Sequence, residues 1–283
     1  MRQLRWLSAT AAMVVQTTAM RLTPPAARLV FQAPSPGAAR KHVIVGTKEA
    51  LLSDGGKEML PLGLPFSRWK YLVELADEGM GKDGSSSNWM FTASDGKPST
   101  IVAGVLPSRC SRHNSPVQPH AVTALVKGSK SANVVVVLED ATHAGGTACA
   151  IGRAFPLFTA KTPSKAKRQA MADGVDDAPT MTVSFATKEG AMAESTCYAS
   201  YAAAAEGVRR AARLVDLPPD QLTTTAFVGE ARAAADRLAA LGRSVTCEVS
   251  AHSHASARIT VAHTHSHPLA STHTHSRRLH IHI

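Results

Sequence analysis

Four consecutive valines followed by a leucine, Val134 to Leu138, lie within the run Asn133–Glu139. A β-branched run this short, apolar at every position, leaves no side for solvent. It predicts a central strand covered on both faces, which needs helices above and below it. The chain offers them. His42-Val43-Ile44-Val45 within 38–47, Thr100–Leu106 and Met181–Phe185 read as further strands. Ser67–Asp77, with Trp69, Leu72, Val73 and Leu75 as its apolar side, reads as a helix. A second helix opens with Ser115 as N-cap and Pro116 as first helical residue and runs to about Lys127; a third spans Ala144–Phe158. Gly79–Asn88 and Lys161–Pro179 read as loops. Strands interleaved with helices give an α/β domain over 40–187.

Beyond it, Ala191–Val215 is a long Ala-rich helix ended by Pro218 and Pro219. Thr223, Thr224 and Thr225 offer N-caps for a further helix to Leu241, with Gly242 in the C′ position, and 244–249 starts a strand. That helix and strand have an apolar face (Phe227, Val228, Ala231, Leu238, Val245) with no evident cover, which predicts self-association.

The net charge of +10 suggests a polyanion partner until it is located. Residues 1–48 carry seven basic residues and no acid, and residues 250–283 carry Arg258, Arg277 and Arg278 and no acid. The segment between them is neutral, so no nucleic-acid partner is expected. No stretch reaches the roughly 18 apolar residues of a membrane-spanning helix, so no membrane partner is expected either. Cys110, Cys149, Cys197 and Cys247 form no C-x-x-C pair, which fits reduced, buried thiols rather than a disulfide framework or zinc finger.

The two ends differ from the middle. At the N-terminus Leu4, Leu7, Ala11 and Val14 share a helical face beside Arg2 and Arg5. This fits a mitochondrial presequence, a secretory signal less well, or an extension of no consequence. At the C-terminus nine of the thirteen histidines lie between His252 and His282, mostly as His-x-His. In an extended chain that spacing puts imidazoles on one face, where Zn²⁺, Ni²⁺ or Cu²⁺ could bind. Alternating His and Thr is also what a (CA)n dinucleotide repeat encodes, which points to an intron or shifted frame. A polar low-complexity tail is the third reading.

No phosphate loop, G-x-G-x-x-G, H-E-x-x-H or G-x-S-x-G occurs. His143, preceded by Glu139 and Asp140, is the one constellation that could be built into catalysis; a histidine at a strand-to-helix junction is more commonly a cap or surface residue.

Three segments carry a resemblance. Glu206–Leu241, with Asp216, Pro218, Thr223 and Phe227, resembles the helix-turn-helix joining the two domains of leucyl aminopeptidases (the cytosol aminopeptidase family); Asp220 stands where the family has Asn. Leu106-Pro107-Ser108-Arg109 with Arg112-His113-Asn114-Ser115-Pro116, and Ala148-Cys149-Ala150 with Arg153–Phe158, are similar to the probable-aminopeptidase-like subgroup. The resemblance implies an α/β chain with an N-terminal leucyl-aminopeptidase-type domain (40–187), a long connecting helix (188–217) and the incomplete start of a catalytic domain (218–249). Residues 1–39 would be a targeting-like or disordered extension, and 250–283 a His-rich tail. The family releases N-terminal amino acids from peptides with two divalent metals, Zn²⁺ or Mn²⁺, that activate a bridging water. Its ligand segments, resembling Gly-Lys-Gly, Asp-Thr/Ser-Gly-Gly and Asn-Thr-Asp-Ala-Glu-Gly-Arg, do not occur here. No catalytic, metal-binding or cofactor-binding residue is therefore assigned, and no cofactor is expected in this chain. The expectation is a truncated aminopeptidase-like protein, inactive alone, cytoplasmic or mitochondrial. Its partners would be itself or full-length subunits, and peptides only if a catalytic domain were present. The alternatives are a non-enzymatic assembly module acting through the 191–215 helix, and a His-rich metal-binding protein.

Overall fold

The valine run forms β5 (Asn133–Leu138) and holds the middle of a sheet. It pairs in parallel with β2 (Lys41–Thr47) on one side and β6 (Thr180–Thr187) on the other. The order is β1-β6-β5-β2-β4-β3, with β1 at Arg28–Phe31, β4 at Pro98–Leu106 and β3 at Ser85–Thr92. The two-residue β7 (Gly190–Ala191) pairs with β6. Pairings are parallel except at β3 and β7. The sheet comes from a computed structural model describing residues 26–34, 39–81, 83–110, 115–129, 132–159, 178–192 and 195–240, together with the backbone of 244–251, 257–264 and 277–282. The chain divides into two units, Met1–Asp216 and Leu217–Ile283.

In the first unit each face of the sheet has its own core, as a strand apolar on both sides requires. On one face Ile44, Ile101, Val135 and Val137 meet α1 (Lys48–Leu52) and α3 (Phe66–Glu78) through Leu51, Trp69, Leu72 and Val73. Trp69 is fully buried, and its Nε1–H donates to the Leu51 carbonyl at 2.9 Å. On the other face Val43, Val134, Val136 and Phe185 meet α4 (Pro119–Val126), α5 (Ala144–Ala154) and α6 (Ser195–Asp216). Helix α5 passes so close to α6 that a Cβ at Gly152 would lie 2.6 Å from the Ala205 carbonyl oxygen. Buried Arg209 of α6 donates to the carbonyls of Phe155 (2.8 Å) and Ala27 (2.6 Å), tying α5 and the start of β1 to one side chain.

The α/β class is as expected, but several boundaries move. Residues 1–39 were assigned to an extension, yet Arg28–Phe31 is a parallel strand on β6 with Leu29 and Phe31 packed on the core. Four residues are too few for alternation to stand out in sequence. Gly79–Asn88 ends not as loop but as half of β3, an edge strand whose buried Ser87 packs under α3, its Oγ donating to the Leu72 carbonyl at 2.6 Å. Leu75, assigned to the apolar side of α3, is 46% exposed. Ser115 opens a turn rather than a helix. Its carbonyl accepts the Gln118 N–H at 2.9 Å, Gln118 takes the left-handed conformation (φ 48°), and the helix begins at Pro119. The helix expected over 144–158 ends at Ala154, and the one expected from Ala191 begins at Ser195 because Gly190–Ala191 pairs with β6. Helix α2 (Asp54–Glu58) is absent from the sequence reading because its Gly55-Gly56 pair argues against a helix. Most of the expected 161–179 loop, and Gly242, lie outside the described residues.

In the second unit Thr223 caps α7 (Thr224–Ala240), its Oγ1 accepting the Ala226 N–H at 3.2 Å. No residue of α7 is buried. Strand β8 (Ser244–Ala251) pairs antiparallel with β9 (Ala257–Thr264), and β9 with β10 (Arg277–His282). Strands β9 and β10 thus lie within the segment read as a His-rich tail. Among the described residues no helix is long and apolar enough to cross a membrane.

Candidate functional site

The chain leaves β2 for helices on one face of the sheet, while β4 and β5 are followed by helices on the other. Where neighbouring parallel strands feed opposite faces, their carboxyl ends part and leave a crevice, the usual ligand position in open α/β sheets. A shallow hollow of about 30 Å³, room for about one water molecule, lies there. Thr47 ends β2, Leu138 and Glu139 follow from β5, and Gln118, His143 and Thr147 close the sides.

Its electrostatics centre on Glu139. The carboxylate accepts a hydrogen bond from the Thr47 hydroxyl and pairs with the Lys188 ammonium on the β6–β7 turn. Partial burial pushes its pKa up, but the Lys188 and Thr47 hydrogen bonds, with the charges of Lys188 and His143, outweigh that and hold it below the ordinary value. The Lys188 pKa is raised in turn, chiefly by the same pairing. Glu139 is therefore ionised and neutralised, a tie between three strand ends. A general base would need a raised pKa and an open lone pair.

The Glu139–Asp140–His143 constellation does not assemble as a catalytic group. Asp140 caps a 3-10 turn (Ala141–His143), its Oδ1 accepting the Thr142 N–H at 2.8 Å and hydroxyl at 2.7 Å. These bonds, the hydroxyl's first, hold the exposed Asp140 carboxyl below its usual pKa. His143 takes the N-cap position of α5, and its carbonyl accepts the Thr147 hydroxyl at 2.9 Å. Half-buried Cys149 (α5) and Cys197 (α6) take part in no disulfide. Two partners of Glu139, Thr47 and Lys188, were missed in the sequence. Thr47 is legible only as the residue ending a strand, and Lys188 lies outside any motif.

A two-metal centre needs several His, Cys, Asp or Glu donors converging on each ion. Among the described residues no group of three such side chains could hold one metal. The described residues do not fit the centre that the aminopeptidase resemblance implies, and no metal-dependent step is derived through them.

Residues 40–164 match a family model described as M17 aminopeptidase N-terminal domain 2. The "Probable aminopeptidase NPEPL1" of Mus musculus is 36% identical over 136 residues, covering 46% of this chain and 24% of that protein. Its Homo sapiens counterpart is 35% identical over 138 residues, with the same coverage. The chain thus spans only 24% of the length of these relatives. A solved leucyl aminopeptidase from Leishmania major, in complex with actinonin, superposes with a TM-score of 0.63 at 20% identity, covering 89% of this chain and 50% of that one. At that identity the likeness is one of fold.

Proposed function

We propose that the chain serves as the non-catalytic N-terminal part of a leucyl-aminopeptidase-like protein, a reading supported by the match of residues 40–164 to the model described as M17 aminopeptidase N-terminal domain 2. The observation that carries the reading is that match, laid over a sheet whose strand-end crevice centres on a carboxylate tied to Lys188 and Thr47. The release of N-terminal amino acids from peptides would then be the work of residues other than those described, with two divalent metals supplying the activated water. In this reading α6 is the connecting helix and 218–249 supplies the first elements of a catalytic domain, which the likeness of 206–241 to the joining helix-turn-helix supports. The acid-free, Arg-bearing N-terminal residues fit a mitochondrial compartment, with the cytoplasm as the alternative.

The test is direct. The purified chain with Mn²⁺ or Zn²⁺ is given a leucyl amide that releases a chromophore. No release above a protein-free control is expected. Chelator-sensitive turnover that survives deletion of residues 250–283 would overturn the reading.

A further inference from the structure

The sheet ends at β3, and among the described residues no strand pairs with its outer edge. Edge strands in single-chain proteins are usually protected by a charge, a proline or a bulge. β3 has none of these: Ser85-Ser86-Ser87-Asn88-Trp89-Met90-Phe91-Thr92 is uncharged and pairs with β4 without interruption. Trp89 is 38% exposed and Met90 69%. Beside the edge runs one flank of α3. Arg68 lies over the Trp89 ring, 4.3 Å from its centroid, and the Leu72 carbonyl sits above Ser87. Helical spacing then puts Tyr71 and Leu75 on the same flank as Arg68, and both are exposed, at 53% and 46%. The opposite flank holds Asp77, which pairs with Lys48.

We propose that this edge joins two copies of the chain, β3 pairing antiparallel with its own two-fold mate so that the sheet continues across the interface. The occupant follows from the symmetry. An axis normal to the sheet through Ser87 pairs Ser86 with the mate's Asn88 and Ser85 with its Trp89, keeping each side chain on its own face. The same axis passes beside Val73, because α3 runs antiparallel to β3 with Leu72 over Ser87. It therefore sets Tyr71 opposite Leu75 and Arg68 opposite Glu78, each contact made twice. A register centred on Trp89 would instead bring the two Arg68 side chains together. Spacing agrees as well. Strands pair about 4.8 Å apart, and α3 spans β3 and β4, so the two helices would lie roughly 10 Å apart, the distance of packed helices. The uncharged strand brings no like charges into register, and the flanks are complementary in charge and apolar in between. This inference does not rest on the aminopeptidase reading.

Sedimentation velocity of the full chain across the micromolar range tests it, alongside amide hydrogen exchange. Concentration-dependent dimers are expected, with slowed exchange confined to 85–89 on dimerisation. Leu75→Lys changes an exposed position, so the fold should persist while association weakens at least about tenfold. Glu78→Arg should weaken it about tenfold, because the pair occurs twice, and Arg68→Glu combined with Glu78→Arg should restore it. A chain that stays monomeric throughout overturns the proposal. So does association that survives Leu75→Lys, as it would if α7 mediated it, or that leaves exchange at 85–89 unchanged. Pairing of β3 with an added extended peptide, without dimers of the chain, also counts against it.

Discussion

Replacing Arg209 with methionine keeps the length of the side chain and removes its hydrogen-bond fork. The residue is 5% exposed, and its Nε and Nη2 donate to the Phe155 and Ala27 carbonyls at 2.8 and 2.6 Å. Burial pushes the guanidinium pKa down while Glu206, at 3.3 Å, pushes it up, so the charge is costly to bury but partnered. Hydrogen bonds from a charged donor are worth about 1.5–3 kcal/mol each, and two carbonyls would lose theirs. The guanidinium no longer has to be buried, which offsets part of that loss. The net expectation is about 2–4 kcal/mol of destabilisation, or a melting temperature lower by roughly 5–12 °C for a unit of this size. Because Ala27 abuts β1, the loss should also be local: amides of 28–31 should exchange faster than those of β5. Arg209→Lys should recover part of the effect, since an ammonium reaches one carbonyl but not two in a fixed fork. Arg210→Met is the control, as Arg210 is exposed and pairs only with Glu206 of its own helix among the contacts seen. Its effect should stay within about 0.5 kcal/mol. An Arg209→Met chain that melts with the parent and exchanges at 28–31 at the parent's rate would refute the reasoning.

Gly152→Ala should separate α5 from α6, because the added Cβ meets the Ala205 backbone; thermal melts should show a loss of about 1–3 kcal/mol, against little change for Gly145→Ala, whose Cβ would enter open space. Burial holds the His42 pKa below its ordinary value, with a backbone hydrogen bond opposing. The unfolded chain therefore binds the proton first, so stability should fall as pH drops below about 6.5, and His42→Phe should flatten that limb of a urea titration. At lower pH, Asp95 is held at about 2, first by its Arg40 hydrogen bond and next by the Lys97 N–H. That contribution is present above the ordinary carboxylate range and is lost as the acid approaches pH 2, so Asp95→Asn should remove its share of the acid titration.

The central strands and the long helices were legible because burial on both faces, or one apolar stripe over three turns, leaves a strong pattern. Val134–Leu138, Trp69 with Leu72 and Val73, and the Thr223 cap all carried their positions in local sequence. What was illegible depends on partners far along the chain. Ser85–Asn88 reads as polar loop because inward Ser87 satisfies α3 through a hydrogen bond rather than apolar contact. Arg28–Phe31 is too short to alternate, and it is a strand only because β6 lies beside it. The crevice was half visible. Glu139 and His143 stood out as titratable neighbours at a strand end, but the partners that neutralise Glu139 come from Thr47 and Lys188, distant in sequence. Nothing local tells a carboxylate tied to a lysine from one poised for chemistry.

Pairing of β1 with β6 sets Arg28 beside Thr180. A ribosome delivers the chain in one direction, at about 5–20 residues per second. Roughly 150 residues separate the two strands, so Leu29 and Phe31 wait about 8–30 s for the surface that covers them. During that interval the rest of the sheet has no β6 to close on either, since β5 meets β6 along its whole length. The first unit therefore stays open on one side until about residue 187 has emerged, and its assembly is governed by a long-range closure of the slow, high-contact-order kind. A chaperone that shields nascent apolar segments would find a long-lived client site in β1.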